Sequence, residues 1–424
     1  MTSRRRRALQ PATRLGHAGA VETVPHRSTL RELPRGIWAL GLTSLLMDAS
    51  SELVHSLLPY YLTAVLGVGM AGLGLLEGLA EATSLVTKVF SGWLSDRLGH
   101  RKWLAIAGYG LAAITKPAFP MANGAGAVVV ARLVDRLGKG IRGAPRDALV
   151  ADLVEPRLRG AAYGLRQALD SAGAVAGPLL AMLLMMAFVD QVRTVLWFAV
   201  IPAALAVTVL VVGVQEPQRT GPALPPRAAP IGLADVRRLP WTFWSATVLG
   251  MLFVVARLPE AFLLVRGQEA GLGPAWIPML LVTMNLVYAG CAYPAGVLSD
   301  RFGPRGLLLG GIATLAVAHT ILALTGGLGG VFLGAAIWGL HMGLTQGLFA
   351  RLVADAAPAA LRGTAFGLFG LASGVATLVG GLGAGLLWSR AGAPATFGTA
   401  ALLAALGALA LGSRIAVAGD RGRP

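Results

Sequence analysis

Asp48, Glu52 and His55 stand at i, i+4 and i+7, so on a helix they share one face. Glu77 and Glu81 repeat the i, i+4 spacing, and Arg166 and Asp170 repeat it again. Arg132, Arg136, Lys139, Arg142 and Arg146 fall, at 100° per residue, in one stripe about 120° wide that also contains Asp135. Carboxylates gathered in this way can exchange protons, and a cationic stripe can draw in anionic groups. The same residues can equally close static salt bridges between the first and fourth helices, and spacing leaves both readings open. No nucleophile–base pair stands out, Gly138-Lys139-Gly140 lacks the phosphate-loop spacing, and outside Asp48, Glu52 and His55 no His/Asp cluster has metal-ligand spacing. The expectation is therefore a protein that is not an enzyme and holds no cofactor or metal.

These charges are set in an apolar chain. Of 424 residues, 55% are apolar before the 57 glycines are counted, and only 13% are charged. Soluble domains carry about 25% charged residues. A net charge of +16 suits a nucleic-acid binder in isolation, yet the cations are scattered among apolar runs rather than clustered on a soluble face. The single cysteine, Cys291, leaves no intramolecular disulfide. A bilayer-crossing helix needs about 20 mostly apolar residues. Runs of that kind are expected at 37–66, 71–94, 103–121, 126–152, 161–188, 194–214, 241–266, 275–298, 306–325, 329–355, 363–388 and 395–414. Twelve spans result, and the class is an all-α membrane protein.

Of the 36 lysines and arginines, 23 lie in the tails and loops on one side of these spans, 3 on the other, and 10 within them. Basic loops stay in the cytoplasm, so both termini are expected inside. The expected organisation is a basic tail (1–36), a six-helix half (37–214), a Pro-rich linker (215–240), a second six-helix half (241–415) and a short tail (416–424). Each cation at bilayer depth costs roughly 2.5–3.5 kcal/mol, so ten facing lipid would cost about 30 kcal/mol. They must face water, a counter-charge or an interface. In the fourth span, Gly138, Gly140, Gly143 and Pro145 are expected to break the helix where it lines a polar cavity. The second half is poorer in charge, with Arg257 and Glu260, and Trp338, Phe349 and Phe366 are expected to form an apolar wall.

The two halves also repeat. Gly92-x-Leu94-Ser-Asp96-Arg97-x-Gly99-x-Arg101 returns as Gly296-x-Leu298-Ser-Asp300-Arg301-x-Gly303-x-Arg305, 204 residues on. Arg159-Gly160-x-x-Tyr163-Gly164 returns as Arg362-Gly363-x-x-Phe366-Gly367, 203 residues on. Parallel six-helix halves around a midplane site are the layout of alternating-access carriers.

With Lys102 added, the first of these loops resembles the signature of the major facilitator superfamily between its second and third helices. Gly164-x8-Gly173-x3-Gly177-Pro178 resembles the fifth-helix motif of its drug/proton antiporters. The resemblance implies two pseudo-symmetric halves, a cytoplasmic gate built on Gly92, Asp96, Arg97, Gly99 and Arg101 with Asp300 and Arg301 as its repeat, and close packing at the fifth-helix glycines and Pro178. It implies secondary active transport of a small molecule, with proton-coupled efflux leading and the proton gradient as energy source. An importer or uniporter of a small organic anion, or a non-transporting sensor on the same fold, are the alternatives. The expected setting is the bacterial inner membrane, with lipid and substrate as partners, no nucleic acid, and a monomer. The substrate and proton path is expected to run through Asp48, Glu52, His55, Glu77, Glu81, Arg132, Asp135, Arg136, Lys139, Arg142, Arg166 and Asp170.

Overall fold

The computed structural model describes residues 30–216, 236–345 and 361–420, with positions 348, 353 and 356–358 between the last two blocks. Most of the basic tail and of the linker lies outside the described residues, as do the side chains of Asp300 and Arg301. All regular structure among the described residues is helical. The first group comprises α1 (Arg35–Tyr60), α2 (Met70–Leu98), α3 (Arg101–Thr115), α4 (Ala125–Asp152), α5 (Arg159–Ala187) and α6 (Val200–Gly213). The second comprises α7 (Trp241–Ala256), α8 (Ala261–Glu269), α9 (Met279–Leu324), α10 (Leu328–Thr345) and α11 (Arg362–Asp420). Both α9 and α11 contain one non-helical glycine, Gly303 (φ 74°) and Gly392 (φ 76°), at which two helices join. Only a residue without Cβ takes that conformation cheaply. Gly99 closes α2 at a similar positive φ, 73°, but with ψ −10° against 156° at Gly303, so the repeated glycines share φ and differ in ψ.

Among the described residues, eight stretches are long and apolar enough to cross a bilayer. The shortfall from twelve has physical causes. One stretch, Thr364–Ser413, covers 50 residues and includes the Gly392 joint. The carboxylates and cations of α2 and α4 lower their hydropathy. The third expected span stops at Thr115, because Pro117 has no N–H with which to continue the ladder, and the chain re-forms only a short turn, Ala118–Met121.

The expected break in the fourth span is not there: α4 runs unbroken for 28 residues with Pro145 inside it. Its glycines serve packing instead. A Cβ at Gly138 would stand 2.7 Å from Gly108 O of α3, and one at Gly140 would stand 2.7 Å from Ser84 O of α2. The break falls in the seventh span, between Ala256 and Ala261. Pro259 has no N–H to donate there, and Arg257 leaves helical geometry at φ −81°, ψ 89°.

Core packing differs between the two ends of the bundle. At the end remote from the termini one continuous apolar core joins both helix groups, including Leu57, Leu58, Leu62 and Leu73 with Phe262, Leu263, Leu280 and Trp388. Here α2 and α11 touch backbone to backbone, since a Cβ at Gly381 would lie 2.5 Å from Gly74 O. At the termini end the cores are separate. Ile37, Leu40, Tyr109, Leu149 and Leu210 pack only within the first group, and Phe243, Val353 and Ala365 only within the second. The bundle is thus fused at one end and divided at the other.

Candidate functional site

Between the helix groups lies a cavity of about 550 Å³, within the range of small-molecule sites. The first group supplies Glu52 and His55 from α1, Glu77, Glu81 and Leu85 from α2, and Arg132, Arg136 and Lys139 from α4. The second group supplies Phe253 from α7, Arg257, Leu258, Pro259 and Glu260 from the α7–α8 break, Met342 and Thr345 from α10, and Phe369, Ser373 and Thr377 from α11. The apolar wall therefore differs from the expected one. Trp338 is fully buried in the core, edge-on to His319 at 4.7 Å, and Phe366 does not line the cavity. Phe349 lies outside the described residues. The second group is also less apolar than expected, because the unwound segment brings in both Arg257 and Glu260.

Seven of the twelve expected path residues meet at this cavity, and their charges fall into two kinds. Deep pairs are closed. Arg132, fully buried, donates to Glu77 Oε2 at 3.0 Å and meets His55 Nδ1 at 2.7 Å. Behind the wall Lys116 donates to Asp135 Oδ1 at 2.8 Å and to Ser51 Oγ at 3.1 Å. Pairs facing the cavity are open. Arg136 stands 3.9 Å from Glu81, Arg257 stands 3.7 Å from Glu260, and His55 Nε2 stands 3.7 Å from Glu260. These separations exceed the 2.7–3.2 Å of a formed hydrogen bond. Among the described residues neither Glu52 nor Lys139 has an ion pair or hydrogen bond.

The other five residues lie off the cavity. Asp135 is held by Lys116, a residue that is not among the expected path residues. Arg142 stacks on Tyr109, 4.7 Å from its ring centroid, and stands 3.8 Å from Asp48. Arg166 donates to Asp170 at 2.5 Å, and Arg146 stands 3.8 Å from the same carboxylate. These groups form a second charged cluster between α1, α4 and α5. Of the fifth-helix motif, Gly173 and Gly177 lie against α1, with a Cβ at Gly177 2.6 Å from Ala49 O, whereas Gly164 borders open space. Pro178 is buried inside an unbroken α5.

The charged loop ties three helices of one group together. Arg101, at the start of α3, donates to Asp96 of α2 at 3.2 Å and to Asp152 of α4 at 2.5 Å. Arg97 lies over Trp93, 5.4 Å from the ring centroid, and Gly92 faces Ala144.

Two groups of helices fused at one end around a charged cavity fit the sequence comparisons. The family description "Major Facilitator Superfamily" matches residues 40–284 and 261–419. The chain belongs to the major facilitator superfamily. It is 29% identical over 369 residues to an uncharacterized MFS-type transporter of Methanocaldococcus jannaschii, covering 84% of this chain and 89% of that one. It is also 32% identical to the multidrug resistance protein MdtH of Aeromonas hydrophila, over 34% of this chain and 36% of the other. A crystal structure of the peptide transporter POT in complex with sulfate superposes with a TM-score of 0.75 at 16% identity, covering 92% of this chain and 95% of that one. That likeness is one of fold alone. This superfamily member is accordingly an integral, multi-pass membrane protein and a secondary transporter that works by alternating access.

Proposed function

We propose that this chain exports a small molecule in exchange for protons, and that it does so through twelve spans with both termini in the cytoplasm. Dividing α9 at Gly303 and α11 at Gly392, and taking α7 with α8 as one crossing, gives twelve. The divided end of the bundle is then the cytoplasmic end, and the cavity is caught facing inward. On this reading residues 37–214 and 241–415 are the two rocking halves, and the membrane is the bacterial inner membrane.

The observation that carries the reading is Glu52. It is a carboxylate on the cavity wall, at the core of a membrane helix, and it has no partner among the described residues. A charge so placed costs several kcal/mol and is tolerated where water and cargo reach it. It is therefore the coupling carboxylate, binding a proton in one state and releasing it in the other, with Glu81 beside the same space. Efflux is further supported by the likeness to a protein named for multidrug resistance. The test is flux in proteoliposomes under an imposed pH gradient. Glu52→Gln is expected to abolish pH-driven accumulation; pH-driven flux at the wild-type rate would reject the proton role.

A second reading, import or facilitated movement of a small organic anion, is favoured by the open cations Arg136, Lys139 and Arg257 on the cavity. Uptake by whole cells overproducing the protein distinguishes the two, since an exporter lowers the internal level of its substrate and an importer raises it.

A further inference from the structure

The cavity charges define the kind of molecule that fits. Glu52, Glu77, Glu81 and Glu260 face Arg132, Arg136, Lys139 and Arg257, so the fixed charges on the wall balance. Balance alone is uninformative if every group is paired, but here the pairing is uneven. Glu77 and Arg132 satisfy each other, at 3.0 Å. The groups left open carry both signs: Glu52, which has no ion pair or hydrogen bond among the described residues, Glu81 with nearly half of its side chain exposed, and Glu260 on one side; Lys139, likewise without an ion pair or hydrogen bond among the described residues, and Arg257, also well exposed, on the other. The same cavity is also lined by the apolar side chains of Phe253, Leu258, Met342 and Phe369.

A ligand with a single charge would complete one set and leave the other open as water is displaced, and a charge that loses water without gaining a partner is costly. A cation gains nothing from a wall whose net charge is zero unless the lysine and arginine move away, and the same holds for an anion and the glutamates. A neutral molecule satisfies neither set. A molecule with a cationic and an anionic group on one apolar body satisfies both sets and covers the apolar side chains as well.

We propose that the substrate is a zwitterion of this kind, carrying an ammonium-type group held by Glu52 and Glu81, an acidic group held by Lys139 and Arg257, and an apolar portion against Phe253 and Phe369. The site is the one read above as a transport site, and the proposal names its substrate class. The two acidic residues then have a double duty, because Glu52 serves cargo in the inward state and the proton after the cargo has left.

Three probes with one body test it: a coumarin-bearing amino acid with free ammonium and carboxylate, its methyl ester, which is only a cation, and its N-acetyl derivative, which is only an anion. Binding is read by fluorescence polarisation on the purified full chain in detergent, and flux by release from proteoliposomes. The zwitterion is expected to bind at least tenfold tighter than either derivative. Lys139→Gln should bring the zwitterion down to the level of its methyl ester, Lys139→Arg should keep the preference, and Glu52→Gln should bring it down to the level of the N-acetyl form. An ester or acetylated probe that binds the wild type as tightly as the zwitterion overturns the proposal, and so does failure of all three to bind. Preferential binding of the zwitterion without flux leaves the substrate class standing and overturns the transport reading. Flux of the ester alone does the reverse.

Discussion

At the scale of single residues, the cavity wall separates charges that hold the protein together from charges that meet cargo. Arg132 is fully buried with Glu77 and His55 as partners. Removing one member of such a pair strands the other in a low dielectric, at a cost of roughly 3–5 kcal/mol, whereas replacing both by apolar groups is often neutral. Glu77→Gln is therefore expected to lower the unfolding temperature in detergent sharply, and Glu77→Leu combined with Arg132→Leu to recover much of the loss. Lys139, which has no ion pair or hydrogen bond among the described residues, is expected to behave oppositely: Lys139→Gln should leave the unfolding temperature within a degree or two of wild type while changing what binds. Thermal unfolding followed by tryptophan fluorescence checks both, and equal losses for Glu77→Gln and Lys139→Gln would erase the distinction drawn here. The same contrast explains what was legible in the sequence. Helical spacing identified seven residues that the fold brings to one cavity, since i, i+4 neighbours share a face whatever surrounds them. Spacing within a helix says nothing about which neighbour a charge finds. Lys116, which removes Asp135 from the path, comes from the turn that follows α3, and Glu260, which stands near His55, comes from the far group.

At the scale of elements, glycine proved ambiguous and proline informative. Gly138 and Gly140 in α4 read as helix breakers, but they are where α3 and α2 approach within backbone contact. A small residue lowers helix propensity and also allows close approach, and only the neighbouring helix decides which matters. Pro145 is carried inside α4, while Pro259 sits where the chain leaves helix and lines the cavity. The sequence signal at the second site was the charge pair around it, Arg257 and Glu260, which an unbroken lipid-facing helix would not place there. Packing at the fifth helix divides in the same way. A Cβ at Gly177 would lie 2.6 Å from Ala49 O, an atom of α1 backbone that has no room to move, and one at Gly164 meets nothing within 4 Å. Gly177→Ala is expected to cost about 1–3 kcal/mol through overpacking, and Gly164→Ala to change stability by less than about 0.5 kcal/mol, as surface changes usually do. Urea or thermal titration of both variants in one detergent measures the contrast, and a destabilised Gly164→Ala would show that its helix face is covered in a state other than this one.

At the scale of the whole molecule, the asymmetry of the core is the feature that bears on mechanism. One apolar core runs across both helix groups at the end remote from the termini and continues within the second group as far as Leu307 and Leu411, while the clusters around Ile37 and around Phe243 at the other end each stay within one group. For an alternating-access transporter this is one of two states, and the other must open the fused end and close the divided one. The charged loop around Arg101 fits that requirement, because its bonds to Asp96 and Asp152 keep α2, α3 and α4 together as a body that can move as a unit. The prediction is one of access. Replacing the only native cysteine, Cys291→Ser, and introducing Leu85→Cys puts a single thiol on the cavity wall. If the divided end is cytoplasmic and this state dominates at rest, a membrane-impermeant thiosulfonate labels that thiol quickly in inside-out vesicles and at least tenfold more slowly in right-side-out ones. A saturating substrate gradient, which repopulates the opposite state, should narrow the difference by exposing the thiol from outside. Fast labelling from the outside only would reverse the assigned orientation. Equal labelling from both sides at all times would mean that the fused end does not seal, and a protein with such a leak could not couple two gradients.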